Sequence, residues 1–376
     1  MSGPVIHEGE ETDARLSSAP KESQSYPALV WRRFRKSLPG MIGLILVGTM
    51  LFVSIFAEFF SPMDPNASTT SFAPPDKVSF FTKDGFTLMP VAYPIAESDE
   101  LDPVTFQPLM GPDLDNPRGL RLFGKGWSYR LFGLIPMDRH FIVTSDGSPL
   151  HLLGTDKLGR DILSRGIMGS RITLMIALVS ITLITVAGTL LGITSGYLGG
   201  KFDLWFQRFV EIILAFPQLP LYLALASLIP VTAPSSVFLS FVILVIAGLG
   251  WAQLSREVRG KTMSMARVDY VRAAMAVGAS DGRIITRHIL PNVSSHVIVA
   301  VTLGIPSIVL LESFLGFLGF AVKAPLISWG MMLQDAGTFS VIGSYPWILS
   351  PVGFVLLTVF AFNALGDGLR DAIDPY

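Results

Sequence analysis

The sequence predicts an all-α polytopic membrane protein carrying a small β-rich insertion. Half of its 376 residues are hydrophobic and only 15% are charged, a balance that suits a bilayer better than water. Six stretches are apolar over roughly 20 residues, the length needed to cross ~30 Å of hydrocarbon at 1.5 Å per residue. Basic residues also concentrate in alternate connections between those stretches.

The formal net charge of −1 leaves no global basic field to draw in nucleic acid. Cysteine is absent, which excludes a disulfide framework, thiol catalysis and thiolate-ligated metal. The first 28 residues mix charge, Ser and Pro without an apolar core or a small-residue cleavage site, unlike a signal peptide. They are expected to be disordered, within a cytoplasmic tail spanning 1–38.

The first membrane helix is placed at 39–60, after Arg32, Arg33, Arg35 and Lys36. That basic cluster belongs on the cytoplasmic side. The remaining apolar stretches run over approximately 172–198, 209–230, 236–254, 293–320 and 347–366. Counting crossings puts the insertion at 61–150 outside and 255–292 inside, with both termini cytoplasmic. The charges agree, because 255–292 holds Arg256, Arg259, Lys261, Arg267, Arg272, Arg283 and Arg287, whereas 321–346 has only Lys323 and Asp335.

The insertion is rich in Pro, Gly, Asp and aromatic residues, which suits an ordered but loop-heavy cap. Its pieces RGLRLFGKG and DRHFIVTSDGSPLHLLGT alternate around turn residues, and Asp146-Gly147 is a hairpin signal. The remainder, 151–376, holds five membrane helices and the long internal loop.

That loop reads REVRGKTMSMARVDYVRAAMAVGASDGRIITRHILPN. Asp269 is a plausible N-cap for a short helix over 270–277, with small residues at Ala273, Ala274 and Ala276 and Gly278 as its stop. Ser280 or Asp281 can cap a second helix that carries Arg283 and Arg287 and ends at Pro291. The result is an elbow whose small side chains let another surface approach the backbone. From the residues alone it is either a docking element or a loop whose arginines fix topology.

The spacing RAAMAVGASDGRIITRHILPN resembles the loop of ABC importer membrane subunits, in which two alanines are followed by a Gly and then Leu-Pro. The family pattern usually begins Glu-Ala-Ala, and Arg272 in the Glu position resembles the peptide/nickel branch. LLGTDKLGRDILSRGIMGSRITL resembles the signature of C-type permeases of dipeptide and oligopeptide importers. GITSGYLGGKFD, RFVEIILAFPQLPL, LLESFLGFLGF, SWGMML and FNALGDGLRDAIDP follow in the expected order.

The resemblance implies six transmembrane helices of the importer-permease type in a bacterial inner membrane. It also implies a homologous second permease, two cytoplasmic ATPase subunits and an extracytoplasmic solute-binding protein, besides membrane lipid. ATP and Mg would be bound by the ATPases, with no cofactor in this chain. Arg272, Ala273, Ala274, Gly278 and Ala279 would contact the ATPase. Peptide is the expected cargo; nickel, opines or oligosaccharides are alternatives.

No catalytic residue is expected. Gly260-Lys261-Thr262 approaches a P-loop, but Ser255 stands where its first Gly belongs and no strand precedes it. No His-Glu-x-x-His pair, Gly-x-Ser-x-Gly elbow or pair of aspartates lies within the apolar stretches, so an intramembrane enzyme or metal centre has no support. A passive channel is a further rival, since it would not need the elbow.

Glu312 lies deep in the fifth apolar stretch and must face protein or water. It is a candidate for the translocation pathway, with a hydrogen bond to another helix as the alternative. Glu211 and His296 read as boundary residues. Pro217, Pro220 and Pro306 should bend their helices. Asp156, Arg160 and Asp161 can cap and brace the helix leading into the membrane.

Overall fold

The computed structural model describes residues 26–373, apart from 83–84, 102, 104–105, 107, 231 and 321 and the side chains of 97–100. Most of the expected disordered tail, residues 1–25, lies outside the described residues. Its end does not fit that expectation: α1 (Tyr26–Phe34) is an amphipathic helix with Arg32 and Arg33 in its last turn and Phe34 buried.

Ser37 caps α2 (Leu38–Ile55) by accepting a hydrogen bond from the Gly40 amide at 3.2 Å. Phe56 leaves helical geometry, and a single turn, α3 (Ala57–Phe60), follows. The predicted helix at 39–60 is thus two pieces. α4 (Ile162–Leu198) starts ten residues before its expected position because its first turns, with Ser164, Arg165 and Ser170, are buried against protein rather than lipid. Asp161 caps it through the Ser164 amide at 2.7 Å.

α5 (Gly200–Ala215) and α6 (Gln218–Ala226) meet at 79°. The break falls before Pro217, whose ring forces Phe216 into extended geometry (φ −78°, ψ 133°). Pro220 lies in the first turn of α6, where a missing N–H costs little. α7 (Ser235–Met265) runs well past its predicted end at 254, so residues assigned to the loop are helical.

α8 (Asp269–Ala276) is followed by α9 (Asp281–Ile284), a π-helical turn at Ile285–Ile289, and α10 (Leu290–Phe317). The expectation that Pro291 ends the second elbow helix fails: Asp281–Phe317 is one 37-residue span. The wide turn ends at the first residues of α10, where the missing Pro N–H is absorbed. Asp269 is the first helical residue rather than the N-cap, which is Val268. The final connection holds α11 (Trp329–Leu333) and α12 (Phe339–Ser344) before α13 (Ser350–Ile373).

Among the described residues five helices are long and apolar enough to cross a membrane, or six if α5 and α6 form one bent span. Packing favours six. Glycines 188, 192 and 196 of α4 face Leu254, Val258 and Thr262 of α7 in turn. The two helices therefore run in the same direction, and the chain between them must cross back. By contrast Gly40 meets Gly368, and Gly43 meets Ala361 and Leu365, so α2 and α13 are antiparallel and both ends of the described chain lie on one face.

The insertion forms an antiparallel sheet of β1 (Lys77–Thr82), β2 (Gly85–Tyr93), β5 (Arg118–Leu122) and β8 (Ile142–Thr144), in that order. Two hairpins flank it, β3 (Ile95–Leu101) with β4 (Pro108–Pro112) and β6 (Lys125–Leu131) with β7 (Ile135–Arg139). The Pro-rich half, expected to be loop-heavy, therefore contributes four of the strands. Asp146-Gly147 is a turn, but no return strand follows it. Asp146 accepts from the Ser148 amide and hydroxyl at 3.1 and 2.6 Å, and the chain drops Leu150 into the small core with Ala92 and Leu120.

The cap is fastened to the helices at several points. Arg165 of α4 donates to the Pro65 carbonyl at 3.2 Å, and the rings of Phe72 and Tyr345 stack 4.2 Å apart. Asp76 exchanges hydrogen bonds with His151, accepting from its amide at 2.7 Å and donating its own amide to the carbonyl at 2.9 Å. Burial raises the Asp76 carboxyl above its ordinary value, against the pull of the His151 amide and of the His151 and Arg118 charges.

A carboxyl raised on folding favours the fold while protonated and loses that contribution as pH climbs from its ordinary to its raised value. Asp76→Asn keeps an acceptor for the amide without the charge. It is expected to raise the melting temperature at neutral pH and to remove that acid-side step, read by thermal unfolding across pH.

Candidate functional site

The elbow is built on one buried contact. Val271 is fully buried, as are Ile284 and Ile289 beyond the bend, so α8 is pinned through its inner face. Its outer face carries Arg272, Ala273, Met275 and Val277, with Val277 85% exposed. Among the described residues Arg272, Arg283 and Arg287 have no ion-pair partner, which leaves their charges available to another protein.

Gly278 terminates α8 with φ +81°. Its amide donates to the Met275 carbonyl at 3.0 Å and the Ala279 amide to that of Ala274 at 3.1 Å. These are the two bonds of a Schellman motif. Both Ala274 and Ala279 are half-buried, and only Arg272, Ala273 and Gly278 of the five predicted docking residues stand fully on the surface.

Two links tie the elbow to the membrane helices. Tyr197 near the end of α4 donates to the Asp281 carboxylate at 2.7 Å. Asn292 at the start of α10 donates to the Tyr270 hydroxyl at 3.2 Å and the His288 carbonyl at 2.7 Å. Displacement of α8 therefore acts on the 37-residue helix through Asn292, and through that helix's first residue, Asp281, on α4.

Above the elbow a cavity of about 970 Å³ opens between α4, α6, α7, α10 and α13. Its inner end is apolar, with Ile181, Ile184, Ile246 and Leu311. Its mouth is polar because Gln253, Glu257 and Lys261 recur every four residues on one face of α7. Gln253 donates to Glu257 at 2.9 Å, and His296 of α10 lies 3.5 Å from the other Glu257 oxygen.

This stripe escaped the sequence reading, which ended the fourth helix at 254 and treated 255–292 as loop. The signal was present as a four-residue polar spacing continuing the helix. His296, read as a boundary residue, lines the cavity, whereas Glu211 pairs with Arg208 at 2.7 Å.

Glu312 does not line the cavity. It is fully buried among α4, α10 and α11, accepting from the Thr173 hydroxyl at 3.3 Å. Thr173 also receives the Trp329 amide at 3.1 Å, and the Trp329 indole donates to the Gly166 carbonyl at 2.8 Å. The placement fits the alternative of a helix-linking hydrogen bond, since Thr173 of α4 supplies the donor. Asp156, Arg160 and Asp161 brace the start of α4, with Arg160 donating to Asp156 at 2.8 Å.

Residues 188–376 match the family model of the binding-protein-dependent transport system inner membrane component. Residues 25–75 match the N-terminal transmembrane domain of oligopeptide transport permease C. Over 226 residues the chain is 40% identical to the oligopeptide transport system permease protein OppC of Haemophilus influenzae, covering 60% of this chain and 70% of that one. OppC of Escherichia coli K12 is 42% identical over 60% of this chain and 72% of its own length. The dipeptide transport system permease protein DppC of Bacillus subtilis is 37% identical, over 60% and 68%.

Proposed function

The chain belongs to the family of binding-protein-dependent transport system inner membrane components, and we propose that it forms half of a peptide pathway that separate ATPases open and close. It is a multi-pass permease rather than an enzyme. Peptide as cargo rests on the relatives named for oligopeptide and dipeptide transport. Family membership also supports a homologous second permease, two ATPases that bind ATP and Mg, and an extracytoplasmic binding protein.

The observation that carries the coupling is the elbow's double attachment. Closure of the ATPases would shift α8, the Tyr270–Asn292 link would pass that shift to the 37-residue helix, and the Tyr197–Asp281 link would carry it from that helix to α4. Because these helices wall the cavity, its mouth would change shape with the nucleotide state. The energy transmitted is a preference between two packings, not a chemical step. The basic 255–292 face would be cytoplasmic, with both chain ends on that side.

The test is reconstitution with the second permease, ATPases and binding protein in proteoliposomes. ATP-dependent accumulation of labelled oligopeptides is expected; accumulation of nickel or an oligosaccharide instead would overturn the cargo, and ATP-independent leak would overturn the importer. Glu257→Lys places like charge beside Lys261 and removes the acceptor for Gln253. It is expected to lower peptide uptake about tenfold, as ~1.4 kcal/mol would, with subunit assembly unchanged on size-exclusion chromatography.

A further inference from the structure

The β6–β7 hairpin of the insertion ends in a tip that the cap itself does not cover. Residues 131–137 read LFGLIPM, seven uncharged residues in a row at the turn of a hairpin otherwise exposed on its edges. Phe132, Leu134 and Ile135 are 56%, 79% and 54% exposed. Phe132 and Gly133 both have positive φ, at 54° and 73°, and close a tight loop through Gly133 N–H to the Arg130 carbonyl at 3.0 Å. The backbone thus holds these side chains outward. A soluble hairpin tip would be expected to carry polar turn residues here.

The contacts along the hairpin show where the tip points. At its base the Trp127 indole donates to the Ser61 carbonyl at 3.2 Å. His140 lies 2.9 Å from the Glu58 carbonyl. At its tip the Phe132 ring sits 5.7 Å from that of Phe56, edge to face. From base to tip the hairpin therefore passes Ser61, Glu58 and Phe56, descending toward α2 rather than away from it. Phe56 is the C-cap of that membrane helix, and just below it Phe52 and Ile55 are 54% and 50% exposed.

The tip is thus continuous with the lipid-facing surface of a spanning helix. Arg130 directly precedes the apolar run and Arg139 stands one residue beyond Asp138, whose carboxylate pairs with Lys125 at 3.3 Å; both arginines are exposed on the strands above the run, the position from which a guanidinium reaches phosphate while its neighbours sit among acyl chains. The aromatic side chains at this level, Phe52, Phe56, Phe60 and Phe132, are all phenylalanine, the wholly apolar ring that suits the acyl side of the interface.

We propose that the β6–β7 tip is a membrane anchor, with Phe132, Leu134 and Ile135 immersed in the leaflet on the insertion's side of the bilayer. The insertion is then held at both ends, by its fastening to the helices and by lipid. Which leaflet this is follows from the topology proposed above, but the immersion itself rests only on the chain being a membrane protein.

The absence of native cysteine makes the test direct. Single variants Leu134→Cys, Ser128→Cys and Ile45→Cys would carry a nitroxide in the complete transporter, its other subunits freed of cysteine, in phosphatidylcholine–phosphatidylglycerol bilayers. Electron paramagnetic resonance then compares relaxation by oxygen, which partitions into lipid, with relaxation by a water-soluble nickel chelate.

Ile45, 62% exposed at the middle of α2, is the lipid reference, and Ser128 on the hairpin's base is the aqueous one. The expected result is an oxygen-to-nickel ratio at Leu134 several-fold above that at Ser128 and approaching that at Ile45. A ratio equal to Ser128 would place the tip in water and overturn the anchor. Exclusion of both reagents would also overturn it, showing a protein neighbour such as the second permease or the binding protein.

Discussion

Gly278→Val is expected to cut ATP-driven uptake at least about tenfold while the assembled transporter and its binding-protein affinity survive. The reason is local. At φ +81° a valine must either hold a left-handed conformation or give up the two amide bonds that end α8. The strain is on the order of 1–3 kcal/mol, and every ~1.4 kcal/mol shifts a two-state population tenfold.

No heavy atom lies within 4 Å of the Cβ that the substitution would add. Steric damage to the rest of the chain is therefore not the mechanism, and a loss of uptake reports the elbow's own geometry. Gly278→Asn supplies the internal control, because asparagine tolerates the left-handed region. It should retain most of the activity. Measured together, uptake and ATP hydrolysis separate coupling from assembly: a valine variant that assembles and still links hydrolysis to uptake would refute the lever.

The parts of the molecule legible in its sequence are those fixed by one physical requirement. A bilayer demands length and apolarity, so the six spans and their alternating charge were readable, and the bend at Pro217 followed from the ring's clash with the residue before it. The glycine stop at 278 was readable for the same kind of reason. Helix ends governed by partner contacts were not. Residues 162–171 looked too polar for a span because their polarity is satisfied by the cap and by α3, as with Arg165 and the Pro65 carbonyl and with Arg171 and Glu58.

The cavity mouth was illegible for a related reason. Gln253, Glu257 and Lys261 belong to a helix that leaves the bilayer without ending, so hydropathy stopped where the helix did not. Glu312 shows the converse limit. Composition can say that a carboxyl within a span needs a partner, but whether that partner is water or Thr173 depends on which face of α10 meets α4. The β-strands over 77–112 were hidden by proline, which tolerates edge positions and strand ends, as at Pro112 opposite Ile95.

Gly192→Leu is the substitution expected to do the most damage. α4 and α7 approach through the Gly188, Gly192 and Gly196 stripe, and a Cβ on Gly192 would lie 2.6 Å from the Ser255 carbonyl oxygen and 2.9 Å from Val258 Cβ. One contact is backbone and the other is a β-branched residue in a fully buried site, so neither can swing away. In lipid, where no hydrophobic driving force pulls helices together, such small-residue seams supply the close packing that replaces it.

A leucine there must separate the two helices, at a cost of ~1–3 kcal/mol or more for an overpacked core, and the same helices wall the cavity and carry the elbow's Tyr197 link. Purified yield of intact transporter should fall about tenfold, with uptake lost in what remains. Gly192→Ala should show a weaker form of the same defect. Gly248→Leu, on the same α7 but with no heavy atom within 4 Å of its added Cβ, should assemble normally. If Gly192→Leu matched Gly248→Leu in yield and melting temperature, the parallel α4–α7 seam would be wrong, and with it the inference that the bent α5–α6 pair must recross the membrane.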